Sequence, residues 1–219
     1  MNNLLTTSAI LIATTAATTA SAQSASGDWY TSVFAGASIS SDLGFSESGY
    51  HPVPGNYTFE YGIEMETGYI LGVTAGKRVM SNVRVEVELS YAKYVAGDFV
   101  VSVTSDNLPD YSGSYGDVDG EMETTYLLGN VWYEVEGVSS NTNIQPYIGG
   151  GLGGFIVKAD GEEADGFAYQ LGAGAMIGVG AGAIDVGYRF KGTGEFDMFN
   201  ETIDPLTSSS FQAAYVVNF

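Results

Sequence analysis

A chain of 219 residues without cysteine makes one ordinary domain, with neither a disulfide framework nor a thiolate metal site. Its 26 acidic residues against 7 basic ones leave a formal charge of −19, which repels phosphates and argues against a nucleic-acid partner. With 45% hydrophobic residues, 30 glycines and 15 tyrosines, the whole chain is too apolar to stay disordered.

The first segment reads as a processing signal. Leu4-Leu5 and Ala9-Ile10-Leu11-Ile12-Ala13 open a short apolar run that closes on Ala20-Ser21-Ala22, a small-residue cleavage site. Residues 1–22 are thus predicted to be a signal peptide and 23–219 the mature domain. No later segment holds 18 unbroken apolar residues, so no helix is expected to cross a membrane.

Thereafter, segments of about ten residues with alternating side chains recur up to Phe219, a length that suits a tilted membrane strand. The first aligns Trp29, Thr31, Val33, Ala35, Ala37 and Ile39, and the second, over about 68–78, aligns Tyr69, Leu71, Val73 and Ala75. In the third, Val83, Val85, Val87, Leu89 and Tyr91 alternate with Arg84, Glu86, Glu88 and Ser90. Strict period two over such a run means a strand with two different faces. The fourth, near 124–134, alternates poorly and its facing is open. The fifth sets Ile148, Leu152 and Ile156 against Tyr147, Gly149, Gly151 and Gly153. The sixth sets Phe167, Tyr169, Leu171, Ala173 and Ala175 against Gln170, Gly172 and Gly174. The seventh sets Ile184, Val186, Tyr188 and Phe190 against Asp185, Gly187 and Arg189, and the last aligns Phe211, Ala213, Tyr215, Val217 and Phe219.

Long polar connections at 40–66, 95–122, 157–166 and 191–208 alternate with short ones at 80–82, around 139–143 and at 179–182. The long ones hold most of the acidic residues. Short turns on one rim and long loops on the other are the pattern of an eight-stranded antiparallel up-and-down transmembrane β-barrel. A soluble barrel with its apolar row turned inward around a ligand would alternate equally well. Against that stand the charged, glycine-rich polar rows, the tyrosines and tryptophan near strand ends, and an ending on Phe219.

The chain resembles the small OmpA/opacity-type outer-membrane barrels, often described as porin family proteins. The resemblance rests on Asp28-Trp29-Tyr30, on Val83 to Tyr91, on Pro146 to Gly153, on Phe167 to Gly174, and on Ile184 to Phe190. The ending Tyr215-Val216-Val217-Asn218-Phe219 is similar to the terminal signal read by the barrel-assembly machinery. The resemblance implies insertion in the outer membrane of a Gram-negative cell, among lipids and lipopolysaccharide. It also implies a role in envelope integrity, adhesion or host contact, with small-solute passage in some members.

Arg84, Glu86, Glu88, Asp185 and Arg189 fall on the polar rows of the third and seventh strands, opposite one another in an eight-stranded barrel. They are expected to interlock across the narrow lumen, with Arg189 reaching Glu86 or Glu88. Tyr215, Val217 and Phe219 are the candidate assembly signal. His51, beside Pro52, lacks a visible nucleophile and orienting acid and reads as a loop residue, so neither an enzyme nor a cofactor is expected. The runs 117–121 and 160–163 could attract divalent cations, but a solvated acidic loop is favoured because the full calcium-loop spacing is missing. The glycines at 149–154 precede no Lys-Ser/Thr and serve to leave room for bulky lumen side chains. The expected role is structural or surface contact through acidic outer loops; a narrow solute channel is the second reading.

Overall fold

The structure is a computed structural model that describes residues 28–53, 55–117, 119–135, 144–198 and 201–219. The predicted signal peptide and the turn around 139–143 lie outside the described residues.

The described strands are β1 (Trp29–Ser40), β2 (Leu43–His51), β3 (Gly55–Met65), β4 (Gly68–Met80), β5 (Val83–Ser105), β6 (Tyr111–Asp117) and β7 (Glu121–Glu134). They continue with β8 (Ile144–Ala159), β9 (Glu162–Val179), β10 (Gly182–Thr193), β11 (Phe196–Met198), β12 (Glu201–Ile203) and β13 (Thr207–Asn218). Eight of them form an antiparallel ring in the order β1-β4-β5-β7-β8-β9-β10-β13. The ring closes where β1 pairs with β13, from Tyr30↔Asn218 to Ser40↔Ser208. There the Phe219 N–H donates to the Trp29 carbonyl at 2.9 Å, so the last residue is tied to the first strand. A closed ring leaves no backbone edge unpaired in lipid.

The eight ring strands are those expected from period two, and their apolar rows point outward: Val33, Leu71, Val87, Leu127, Ile148, Leu171 and Phe211 are all exposed. The facing of the fourth, β7, is now fixed. Tyr126, Leu128, Asn130, Trp132 and Glu134 are buried, while Leu127, Val131 and Tyr133 are outside. Its alternation was hard to read because bulky apolar groups occupy both rows.

The four long connections are built largely of strands. Segment 40–66 holds β2 and β3, and β5 runs past its barrel partners to Ser105. That extension pairs with β3 on one side and β6 on the other, so β2-β3-β5-β6 form a second sheet beyond the ring. Segment 157–166 is a tight hairpin. Asp160 and Gly161, at φ 48° and 86°, occupy the two left-handed positions that a two-residue turn between twisted strands requires. In segment 191–208, β10 continues to Thr193 and the β11–β12 hairpin turns back on the barrel.

The inner rows divide into two tiers. Toward the short turns they carry Tyr30, Arg84, Glu86, Glu88, Trp132, Tyr147, Asp185 and Arg189. Toward the long connections they carry Phe34, Ile70, Tyr94, Met122, Tyr126 and Phe155. Phe196, Met198, Ile203 and Leu206 of the β11–β12 segment pack into this second tier. Phe155 and Phe196 meet edge to face with centroids 5.2 Å apart. The expected charged network occupies one tier; the other is an apolar core that the chain fills with its own hairpin.

Candidate functional site in the barrel lumen

Five side chains were expected to meet in the lumen, and all five are buried there. β5 supplies Arg84, Glu86 and Glu88 from alternate positions, and β10 supplies Asp185 and Arg189 from the far wall. Arg84 Nη2 lies 3.6 Å from Asp185 across the lumen, and its guanidinium sits 4.5 Å from the Tyr147 ring. Asp185 accepts the Tyr147 hydroxyl at 2.6 Å. Glu86 accepts from Tyr30 and the Trp132 indole, both at 2.8 Å, and from Asn130 at 3.1 Å.

Arg189 departs from expectation. Among the described residues no ion pair joins it to Glu86 or Glu88. Its Nη2 donates to the Tyr147 hydroxyl at 2.6 Å, and its guanidinium stacks 4.4 Å from the Trp132 ring. Trp132 is the reason: its face takes Arg189 while its N–H takes Glu86, so the two charges are held apart by an indole.

The partner of Glu88 is Lys191, 1% exposed, which also donates to Ser90 at 3.0 Å and sits 4.7 Å from the Tyr126 ring. Ser90 and Gln170 each donate to Glu88 at 2.8 Å. Sequence reasoning placed Lys191 at the start of a loop. It lies on the same inward row as Asp185 and Arg189, and continuing period two by one step would have found it. Glu134, also missed, takes a two-pronged hydrogen bond from Arg78 at 2.7 and 2.8 Å near the turn rim.

Glycine makes room for these groups, both in the expected run, where a Cβ at Gly149 would stand 2.7 Å from Trp132 Cε3, and beyond it. A Cβ at Gly172 would stand 2.7 Å from Arg189 Cδ, and one at Gly174 2.5 Å from the Tyr147 hydroxyl. The cavity left between Tyr30, Arg84, Glu86, Asp185 and Arg189 is about 30 Å³. That is room for about two water molecules. Arg84 Nε and Gln170 Oε1 are the buried polar atoms without a hydrogen-bond partner among the described residues.

Outside the lumen, Tyr215 stands half-exposed on the outward face of β13, Phe219 stands half-exposed just after it, and Val217 is half-buried beside them. His51 ends β2, its Nδ1 accepting the Val53 N–H at 3.5 Å. In the run 160–163, Asp160 and Gly161 form the hairpin turn and Glu163 pairs with Lys158 at 2.7 Å. In the run 117–121, Glu121 pairs with Lys93 at 2.6 Å, and Val118 lies outside the described residues. No set of three acidic or histidine groups gathers for a metal ion among the described residues.

The family model for the outer membrane protein beta-barrel domain matches residues 7–219. The chain belongs to that family. It is an outer-membrane β-barrel. Its fold is similar to that of Neisserial surface protein A: TM-score 0.55 at 16% identity, over 88% of this chain and 97% of that one. Outer membrane protein OprG from Pseudomonas aeruginosa aligns with a TM-score of 0.44 at 12% identity, over 90% and 100% of the two chains. AlkL, solved in lipid bilayers, aligns at 0.40 and 18% identity, over 91% and 94%. No curated protein sequence matches the chain.

Proposed function

We propose that this outer-membrane barrel is a structural and surface-contact protein rather than a solute channel or an enzyme. The observation that carries this reading is the filled lumen. A charged tier leaves about 30 Å³, and above it the hairpin residues Phe196 and Ile203 occupy an apolar tier. A pore needs a continuous wet path, and two unrelated kinds of packing stand in its way.

The outward investment of the chain points the same way. Beyond the ring it builds a four-stranded sheet, and the acidic residues of the long connections face the medium and the lipopolysaccharide. Divalent cations held collectively between those carboxylates and anionic lipid headgroups would anchor that surface. The C-terminal Tyr215 and Phe219 serve delivery, as the groups that the barrel-assembly machinery reads. Planar-bilayer recording of the purified barrel tests the reading. It should show no discrete conductance steps, and regular openings would replace it with the channel.

A further inference from the structure

Half of the barrel wall continues beyond the ring. β5 pairs with β4 and then β3 on one side, and with β7 and then β6 on the other. β2 follows β1 and pairs with β3, as β1 does with β4. The outer sheet therefore stands over β1, β4, β5 and β7. Over the other four ring strands the wall stops. β8 and β9 turn at Asp160 and Gly161, one step past the Met122↔Ala159 pair at the top of β7, and the β11–β12 hairpin turns back on the barrel. The outer sheet is thus a half ring that rises from Ala96 to Ser105, about 30 Å. Its concave inside is a cleft of about 550 Å³.

We propose that a second copy of this chain, on a facing membrane, completes the half ring by pairing β2 with β2 and β6 with β6. The inference names a partner for the surface-contact reading and rests on it. Both edges are open: β2, of nine residues, and β6, of seven, pair on one side only, leaving a row of backbone N–H and C=O groups unused. Neither strand contains the proline or lysine that commonly guards an exposed edge, and Tyr50, Tyr111 and Tyr115 stand exposed along them. β6 has a bulge at its barrel end, where the register shifts between Asp98 and Val100, and pairs regularly from there to Tyr111.

Strand direction selects the partner. β2 runs away from the barrel and β6 runs back toward it. Copies in one membrane share an orientation, so two β2 strands brought together there would run parallel, the less stable pairing. A copy on a facing membrane is inverted. Its β2 meets β2 antiparallel, and its β6 meets β6 antiparallel, about a single twofold axis. The same rotation carries each half ring over the open half of the other. A free peptide would cover one edge and leave the other edge and the cleft open. Small residues on the inner face, among them Gly44, Gly62, Ser102 and Ser112, leave the interior clear for closure. Glu47 restricts the register, because a pair centred on it would set two carboxylates opposite each other. Centred on Gly49, the pair sets Glu47 opposite the second copy's His51, whose imidazole can donate to it.

Vesicle tethering tests the pairing. The full chain is reconstituted into two populations of phosphatidylcholine vesicles, each with its own dye, and the populations are mixed. Mixed-colour clusters are expected, and they should increase with salt. Both copies are acidic, and screening shortens the range of their repulsion. A basic partner would show the opposite salt dependence.

The chain has no cysteine, so single cysteines report the contact cleanly. After oxidation with copper phenanthroline, Ser48→Cys and Gly49→Cys should yield disulfide-linked dimers in the clusters, with the maximum at Gly49→Cys if that residue lies on the axis. Thr58→Cys, one strand in from the edge, should yield about tenfold less, because its copies stand about 14 Å apart, twice what a disulfide spans. Every cysteine variant must keep the boiling-dependent gel mobility of the folded barrel, and tethering by the unsubstituted chain decides the matter without them. The proposal is overturned if the two populations stay apart at every salt concentration, if dimers form only within single-colour vesicles, or if Thr58→Cys is trapped as well as the edge positions. Conductance decides the surface-contact reading separately: a silent barrel that does not tether removes the pairing alone, and a conducting barrel removes the reading beneath it.

Discussion

Lys191 and Glu88 stand at the centre of the lumen, and each is buried with the other as its ion-pair partner among the described residues. Removing one partner of such a pair strands the other, at a cost of roughly 3–5 kcal/mol in a dry site and less in a wet one. Lys191→Ala should therefore lower the temperature at which the barrel opens in SDS. Lys191→Met with Glu88→Leu should recover most of the loss, because two apolar groups leave no orphan charge. An unchanged opening temperature for Lys191→Ala would remove the pair from any structural role. Arg189 gives a sharper test of the geometry. Its guanidinium faces Trp132 and Tyr147, so exchanging charges between Arg189 and Glu86 should give no rescue over the single variants. Rescue, read in the same SDS assay, would mean that the two side chains meet.

At the scale of elements, the β11–β12 hairpin behaves as a stopper built from the chain itself. Phe196, Met198, Ile203 and Leu206 fill a space whose walls are aromatic and aliphatic, so burial of apolar area holds it in place. Replacing Phe196 and Ile203 by serine should release it and expose Tyr94, Tyr126 and Phe155 to water. Binding of an apolar fluorescent dye should rise as a result. Conductance should stay flat, because the charged tier below is still closed. Only the further change Lys191→Ala should yield measurable current in bilayers. Current from the hairpin variant alone would show that the charged tier does not seal the lumen.

For the whole molecule, ring closure is the dominant fact. Every ring strand has two hydrogen-bonded neighbours, so opening cannot start from a free edge and must break two ladders at once. The folded protein should therefore migrate differently in SDS gels before and after boiling, and equal migration would contradict a closed ring. The same closure explains why the chain end matters physically. Tyr215 on β13 and Phe219 just after it stand half-exposed where that strand seals the ring against β1. Changing both to serine should reduce the assembled amount sharply, measured as the fraction of protein that shows the folded mobility in outer membranes. Full assembly of the double variant would mean that this ending is not read during insertion.

The sequence by itself determined the number and order of the ring strands and, for all but the fourth, the face presented to lipid. Alternation is local, and lipid tolerates almost nothing but apolar groups on the outward row, so Val83 to Leu89 or Ile184 to Val186 could be read without a partner in view. The lumen partners were a different matter. Lys191 and Glu88 are separated by 103 positions and meet only because the barrel sets β10 opposite β5. Whether Arg189 reaches Glu86 depended on where Trp132 would stand, and Trp132 lies on the strand whose facing the sequence left open. The outer sheet and the stopper hairpin were equally hidden. Segments such as Tyr57 to Ile63 mix polar and apolar groups because both sheet faces see water, and Phe196 or Ile203 reveal their burial only once a barrel mouth exists to receive them. Which charges pair, and what fills the space between them, was decided by closure of the ring.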